Sequence, residues 1–162
     1  MTVVQPFINR LDKIKDNLDR VANRVIIDHA EIIISLLKDN QLSHGLDSSG
    51  AIVGKYTYWT DIRAKAERQA SGGRSPRQDK QYGQAYNFDW TGSLFETLTI
   101  KGNTSKNEFT IFSTIGKIKL LEKEFNTKLS DLTEENNDSI NNEILVPKLQ
   151  EYILNEMTKG LI

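Results

Sequence analysis

From Phe7 onward the apolar side chains fall at Phe7, Leu11, Ile14, Leu18, Val21 and Val25, steps of three and four that draw one narrow stripe along a helix. After Val25 the pattern widens to Ile26, Ile27, Ala30, Ile32, Ile33, Ile34, Leu36 and Leu37, leaving little polar face for water. That half should be covered on more than one side. A continuous helix from about Pro6 to Asn40 would be roughly 50 Å long, more than the width of a compact domain of this size. Either part of it projects or meets another chain, or it is bent or broken and packs on its own domain.

The rest of the 162 residues must therefore supply what the helix lacks. QLSHGLDSSGAIVGKY, with Gly45, Gly50 and Gly54 among Ser and Asp, reads as a loop leading into a turn or short hairpin. TYWTDIRAKAERQA follows as a modest helix on Ile62, Ala66 and Ala70. Residues 71–88 hold almost no aliphatic side chains, so the sequence predicts a long polar loop or arm there, ordered by a neighbouring subunit. SLFETLTI and NEFTIFSTI, joined by the turn-rich KGNTSKN, predict an antiparallel hairpin over about 93–115. Its apolar face would carry Leu94, Leu98 and Ile100 on one strand and Phe109, Ile111 and Ile115 on the other. Trp90 and Phe95 should anchor that hairpin on the first helix. KIKLLEKEF, and then Ile140, Ile144, Leu145, Leu149, Ile153 and Met157, predict C-terminal helices. Thr133 is the expected N-cap ahead of Glu134 and Glu135, and Pro147 predicts a kink or restart near Val146. The expected fold is α+β: one domain over 1–162, with a long N-terminal helix, a small antiparallel sheet and C-terminal helices.

Composition removes several function classes. With no cysteine, thiolate catalysis, Cys-ligated zinc, iron–sulfur clusters and a disulfide framework are excluded, and an intracellular folding compartment is favoured. Two histidines, His29 and His44, have no carboxylate partners at metal-ligand spacing and read as packed or capping residues, so no metal and no cofactor is expected. No Gly-rich phosphate loop joins a strand to a helix, and no serine sits in a G-x-S-x-G elbow, so no catalytic residue is assigned. MTVVQPFINR lacks the basic and apolar regions of a signal peptide, and no apolar run is long enough to span a bilayer, so no membrane role is expected.

The net charge of −1 is uninformative, but its distribution is not. Between Lys55 and Lys80 seven basic residues (Lys55, Arg63, Lys65, Arg68, Arg74, Arg77 and Lys80) face three acidic ones. Between Leu121 and Met157 nine acidic residues face three basic ones. Opposed patches on one chain suit head-to-tail contact between identical copies, because a heterologous interface pairs unlike surfaces. The alternative is two solvated faces that never meet. On this reading the subunit interface draws on Phe7, Leu11, Ile14 and Leu18 of the helix stripe and on Arg74, Arg77, Tyr82 and Tyr86 of the loop. The basic 55–80 segment, with Tyr82, Tyr86, Phe88 and Trp90 beyond it, also has the residue types of a single-strand binder. A DNA-binding accessory protein is therefore the rival reading, although a pI near 6.1 lies far from that of a typical nucleic-acid module.

The order of these features resembles tailed-phage neck and tail-completion proteins, the Mu-type virion morphogenesis family and its relatives among phages of Bacteroidetes. The resemblance rests on the long first helix, LDSSGAIVGKY, the basic polar loop, NFDWTGSLFETLTI, the second strand and LSDLTEEN before a final helix, spanning roughly residues 7 to 157. In that family an acidic residue and Thr-Gly precede a Ser-containing strand. Here the corresponding words are Asp89, Trp90, Thr91, Gly92 and Ser93, with Trp90 between the acid and Thr-Gly. The family's Gly-Leu-Thr/Ser-Glu-Glu cap corresponds to Asp131, Leu132, Thr133, Glu134 and Glu135, with Asp in place of Gly. Gly92 would permit a sharp turn into the strand, and Asp89 or Thr91 would bond nearby backbone amides. The resemblance implies a non-catalytic virion protein made in the host cytoplasm. Such proteins form homo-oligomeric rings, commonly six-fold, at the head–tail junction or tail, beside portal, neck or tail proteins. Non-specific contact with packaged DNA would be a further use of the basic segment.

Overall fold

A computed structural model of the chain describes residues 4–72, 80–88, 92–103 and 108–159. The fold is α+β, a single domain with a long N-terminal helix, a two-stranded antiparallel sheet and C-terminal helices. Helix α1 (Val4–Asp28) is followed without a loop by α2 (Ala30–Ser35). His29 sits at the break with φ −110° and ψ 20°, and its Nδ1 lies 2.8 Å from the Val25 carbonyl, so it is a capping histidine. Of the two alternatives the helix is the bent or broken one, and α1 alone spans about 37 Å. A π-helical turn (Leu36–Gln41) and one 3₁₀ turn (Leu42–His44) finish this arm of the fold. The widened turn brings Leu37, Gln41 and Leu42 to the inside together, all fully buried.

Helix α3 (Tyr58–Ala70) comes next, capped by Thr57, whose side chain accepts from the Thr60 amide. A helical turn α4 (Ser93–Glu96) precedes strands β1 (Leu98–Asn103) and β2 (Glu108–Ser113). The expected hairpin over 93–115 is therefore shorter at both ends. Gly92, at φ +75°, opens a helix rather than a strand, and the Glu96 amide closes that turn on the Gly92 carbonyl. Ile115 lies beyond β2 and stays half exposed instead of joining the apolar face. Within the strands the face is as predicted. Ile100 pairs with Ile111 and Leu98 with Ser113, and the buried side of the ribbon rests against α1 and α2. Gly102 lies where β1 passes close to α1, and a Cβ there would sit 3.2 Å from Ile27 Cδ1 and 3.3 Å from Asn23 Oδ1.

Helix α5 (Lys117–Phe125) packs on β2. Helix α6 (Glu134–Ile140) has Thr133 as N-cap, its hydroxyl accepting from the Asn136 amide at 3.3 Å. A second π turn (Asn141–Leu145) then leads into α7 (Val146–Thr158), with Pro147 in its first turn. The backbone stays helical at Ile140, Asn141, Leu145 and Val146, so in place of the expected kink or restart near Val146 there is a π turn within a continuing helix. Ile26, Ile33, Leu37, Leu98, Ile111, Ile118, Leu129 and Ile140 belong to one core, with Phe95 packed at its edge.

Two side chains tie the irregular 126–133 segment to this core. Gln41, fully buried, donates to the Asp131 carbonyl at 3.0 Å and accepts from the Thr133 amide at 3.1 Å. Glu122 Oε1 accepts from the amides of Leu129 and Ser130 and from the Ser130 hydroxyl. Burial pushes the Glu122 carboxyl up, but those bonds outweigh it and hold it below the ordinary glutamate value. We predict that Gln41→Leu, which keeps a similar volume but removes the partner of the Asp131 carbonyl and the Thr133 amide, lowers stability by about 1–3 kcal/mol, read from urea unfolding.

Candidate functional site

Of the loop expected over 71–88 to be ordered by a neighbouring subunit, residues 73–79 lie outside the described residues, and residues 80–88 bond to their own chain. The Tyr56 amide donates to Gln84 at 2.8 Å, the Gly83 amide donates to Tyr56 at 3.0 Å, and the Tyr86 amide donates to Gly54 at 3.0 Å. Lys55 and Ala85 form an antiparallel bridge. Two glycines make room for this pairing. A Cβ at Gly45, itself at φ +70°, would overlap the Tyr86 carbonyl oxygen, and one at Gly54 would lie 2.5 Å from the Tyr86 ring. The aliphatic side chains missing from the loop are replaced by rings. Tyr86 stacks edge-on to Tyr56 at 5.0 Å and against Phe125 at 5.2 Å, and Phe88 lies 5.8 Å from Phe125. Lys80 is only 2% exposed, with its ammonium 5.3 Å from the Tyr56 ring centroid and bonded to Asn87. Asn87 also accepts from the Tyr56 hydroxyl.

This arrangement reassigns several predicted interface residues. Tyr86 is half-buried inside its own chain, and Lys80 is taken out of the basic surface. Tyr82 is 67% exposed and stays available. Arg74, Arg77, Asp89, Trp90 and Thr91 lie outside the described residues. Ser93 accepts from the Lys117 ammonium, and its carbonyl accepts from the Thr97 hydroxyl at 2.7 Å, so Gly92 and Ser93 shape the turn before β1.

Tyr82 belongs to an aromatic knob that sequence reasoning missed. Tyr58 and Trp59, at the start of α3, are 61% and 76% exposed, and Tyr58 meets Trp59 and Tyr82 edge-to-face at 6.1 and 6.3 Å. Ile62 extends this surface by one turn, and Arg63, Lys65 and Arg68 are exposed further along α3. The opposite side of α3 carries Asp61 and Ala64, both buried. Asp61 pairs with Lys65 at 3.0 Å and accepts from the Tyr82 backbone amide. Its carboxyl is held below the usual value, first by Lys65. The missed signal was the dense aromatic run in Tyr-Thr-Tyr-Trp, too many rings for the small apolar face of α3 to bury.

A second surface is an open groove of about 1110 Å³ between the 46–52 loop and α6. Glu134, Glu135, Asp138 and Glu143 line it, with His44 and the exposed Ile52 on the other wall. Asp47 fixes that wall, accepting from the Ser49 and Ala51 amides and from the Thr127 hydroxyl. Burial raises its pKa, but these bonds win and leave the carboxyl below its ordinary value.

The third surface is a stalk in which α1 and α7 run antiparallel. The Arg10 guanidinium donates to the Met157 carbonyl at 2.9 Å, Lys13 pairs with Glu156 at 3.3 Å, and Ala22 lies near Leu145 at the other end. Lys159 and then Lys13 hold the Glu156 carboxyl below its ordinary value. Ile14 is buried and Leu18 half-buried on the stalk, so neither offers an open apolar surface. Phe7 and Leu11, at 49% and 44% exposure, do. Among the described residues no group of three His, Asp or Glu side chains could hold a metal ion, and no helix is long and apolar enough to cross a membrane. No family model, curated protein or solved structure matches the chain.

Replacing Gly45 by Ala adds a Cβ at a positive φ against a fixed backbone carbonyl. We predict a loss of about 3 kcal/mol and a weakened Tyr86 environment, seen in thermal unfolding and near-ultraviolet circular dichroism.

Proposed function

We propose that this chain is a structural, non-catalytic subunit of a tailed-phage virion, part of the head–tail neck or tail, acting as a homo-oligomeric ring between portal and tail. The observation that carries this reading is the stalk. The core ends near Ile26 and Ile140, yet α1 and α7 continue beyond it with Val4, Phe7, Ile8, Leu11, Val146 and Ile153 still substantially exposed. A monomer gains nothing from leaving such side chains in water, whereas a subunit set among copies and neighbours covers them. The resemblance of the α1, β-hairpin and LSDLTEEN order to the Mu-type morphogenesis proteins supports a head–tail or tail position for that assembly. The chemistry lies in packing surfaces, and its partners are further copies and adjoining portal, neck or tail proteins.

The rival reading, a DNA-binding accessory protein using the basic 55–80 segment, draws on Arg63, Lys65 and Arg68 around exposed rings. Two of those three are matched within α3, Arg63 by Glu67 and Lys65 by Asp61, each at 3.0 Å. That leaves a modest phosphate attraction.

Electron cryo-microscopy of the particle that carries this chain tests the proposal. The expected result is ring density at the head–tail junction or tail that accommodates the α1/α7 stalk. Absence of the chain from purified particles, with recovery on single-stranded DNA that falls steeply with salt, would favour the rival.

A further inference from the structure

The α3 knob and the acidic groove are both open on the same chain, so they do not satisfy each other within one copy. We infer that the knob of one copy, Tyr58, Trp59 and Tyr82 with Ile62, seats in the α6 groove of the next. The inference rests on the ring reading above and names the contact that would close it.

Three observations fit a second copy as the occupant, and charge is the one that favours it. The first is charge: Glu134, Glu135, Asp138 and Glu143 line the groove, while on α3 the exposed Arg63, Lys65 and Arg68 outnumber Asp61 and Glu67, which pair with two of them. Each copy therefore carries one donor and one acceptor, the condition for head-to-tail assembly. The second is size. Three rings exposed by more than half present roughly 400 Å² of mostly apolar surface, about half of what one partner buries in a stable interface of ~800 Å². A groove of about 1110 Å³ is large enough for such side chains. The third is composition, because Trp, Tyr and Arg are the residues that anchor interfaces. Ile52 in the groove wall gives the rings an apolar neighbour, and the carboxylates set register. A single nucleic-acid strand fits the rings but not the groove, whose carboxylates repel phosphate.

The test uses the full chain in three forms: wild type, a knob variant (Tyr58→Ser with Trp59→Ser) and a groove variant (Asp138→Lys with Glu143→Lys). All the changed side chains are exposed, and circular dichroism with thermal unfolding checks that each variant folds. Light scattering should show the wild type assembling, and each variant alone associating at least tenfold more weakly. An equimolar mixture of the variants should form dimers and stop there, because it offers one intact knob and one intact groove per pair. Variants that assemble like the wild type would overturn this contact while leaving the ring reading standing. A wild type that remains monomeric at all concentrations would overturn it too, and a chain absent from the particle would remove the ring reading itself. Binding of a fluorescent single-stranded oligonucleotide that the knob variant loses, with assembly unchanged, would assign the rings to nucleic acid and overturn the inference.

Discussion

The close approach of Tyr86 to Gly45 and Gly54 is the constraint on which the outer half of the molecule depends. Its amide and ring fasten the 80–88 loop to the 54–56 segment, and both glycines lack the Cβ that would block that approach. Once the loop is fixed, the Tyr82 amide is in place for Asp61 and the underside of α3 is closed. The upper side is then left facing water with Tyr58, Trp59 and Tyr82. The exposed knob is thus a consequence of how the loop is anchored.

Periodic features could be read from the sequence because their cause is local. The stripe from Phe7 to Val25, the alternation in Leu98–Ile100 and Phe109–Ile111 and the Thr133 cap each follow from short-range geometry. The segments that departed from the reading depend on distant residues. Ser93–Glu96 alternates like a strand but coils, because Gly92 is left-handed and Thr97 closes the turn on Ser93. The 80–88 loop looked too polar to fold, since counting aliphatic side chains omits Tyr56, Tyr86, Phe88 and Phe125, which meet only in three dimensions. Lys80 was counted as surface charge for the same reason, although Asn87 and the Tyr56 ring enclose it.

Of the interface residues named from sequence, Phe7, Leu11 and Tyr82 remain accessible, while Ile14 and Tyr86 are occupied within the chain. An apolar stripe on a helix does not say which part of it the same chain will cover. Here α7 takes Ile14 and leaves the first two turns open. Of the opposed charges read from the sequence, the acidic ones Glu134, Glu135, Asp138 and Glu143 gather along one groove, while Arg63, Lys65 and Arg68 are spread around α3. Affinity in such an assembly comes from the rings and the stalk's apolar side chains, and the carboxylates and guanidinium groups set register.

Hydrogen–deuterium exchange on the full chain, compared between dilute and assembled states, tests most directly the claim that these surfaces are interfaces. The account predicts new protection in α3, in α6 and the 46–52 loop, and in the first turns of α1. The hairpin and residues 84–88, already closed within one copy, should be unchanged. Protection gained mainly in the hairpin or at 84–88, with α3 and α6 exchanging as freely as before, would contradict it.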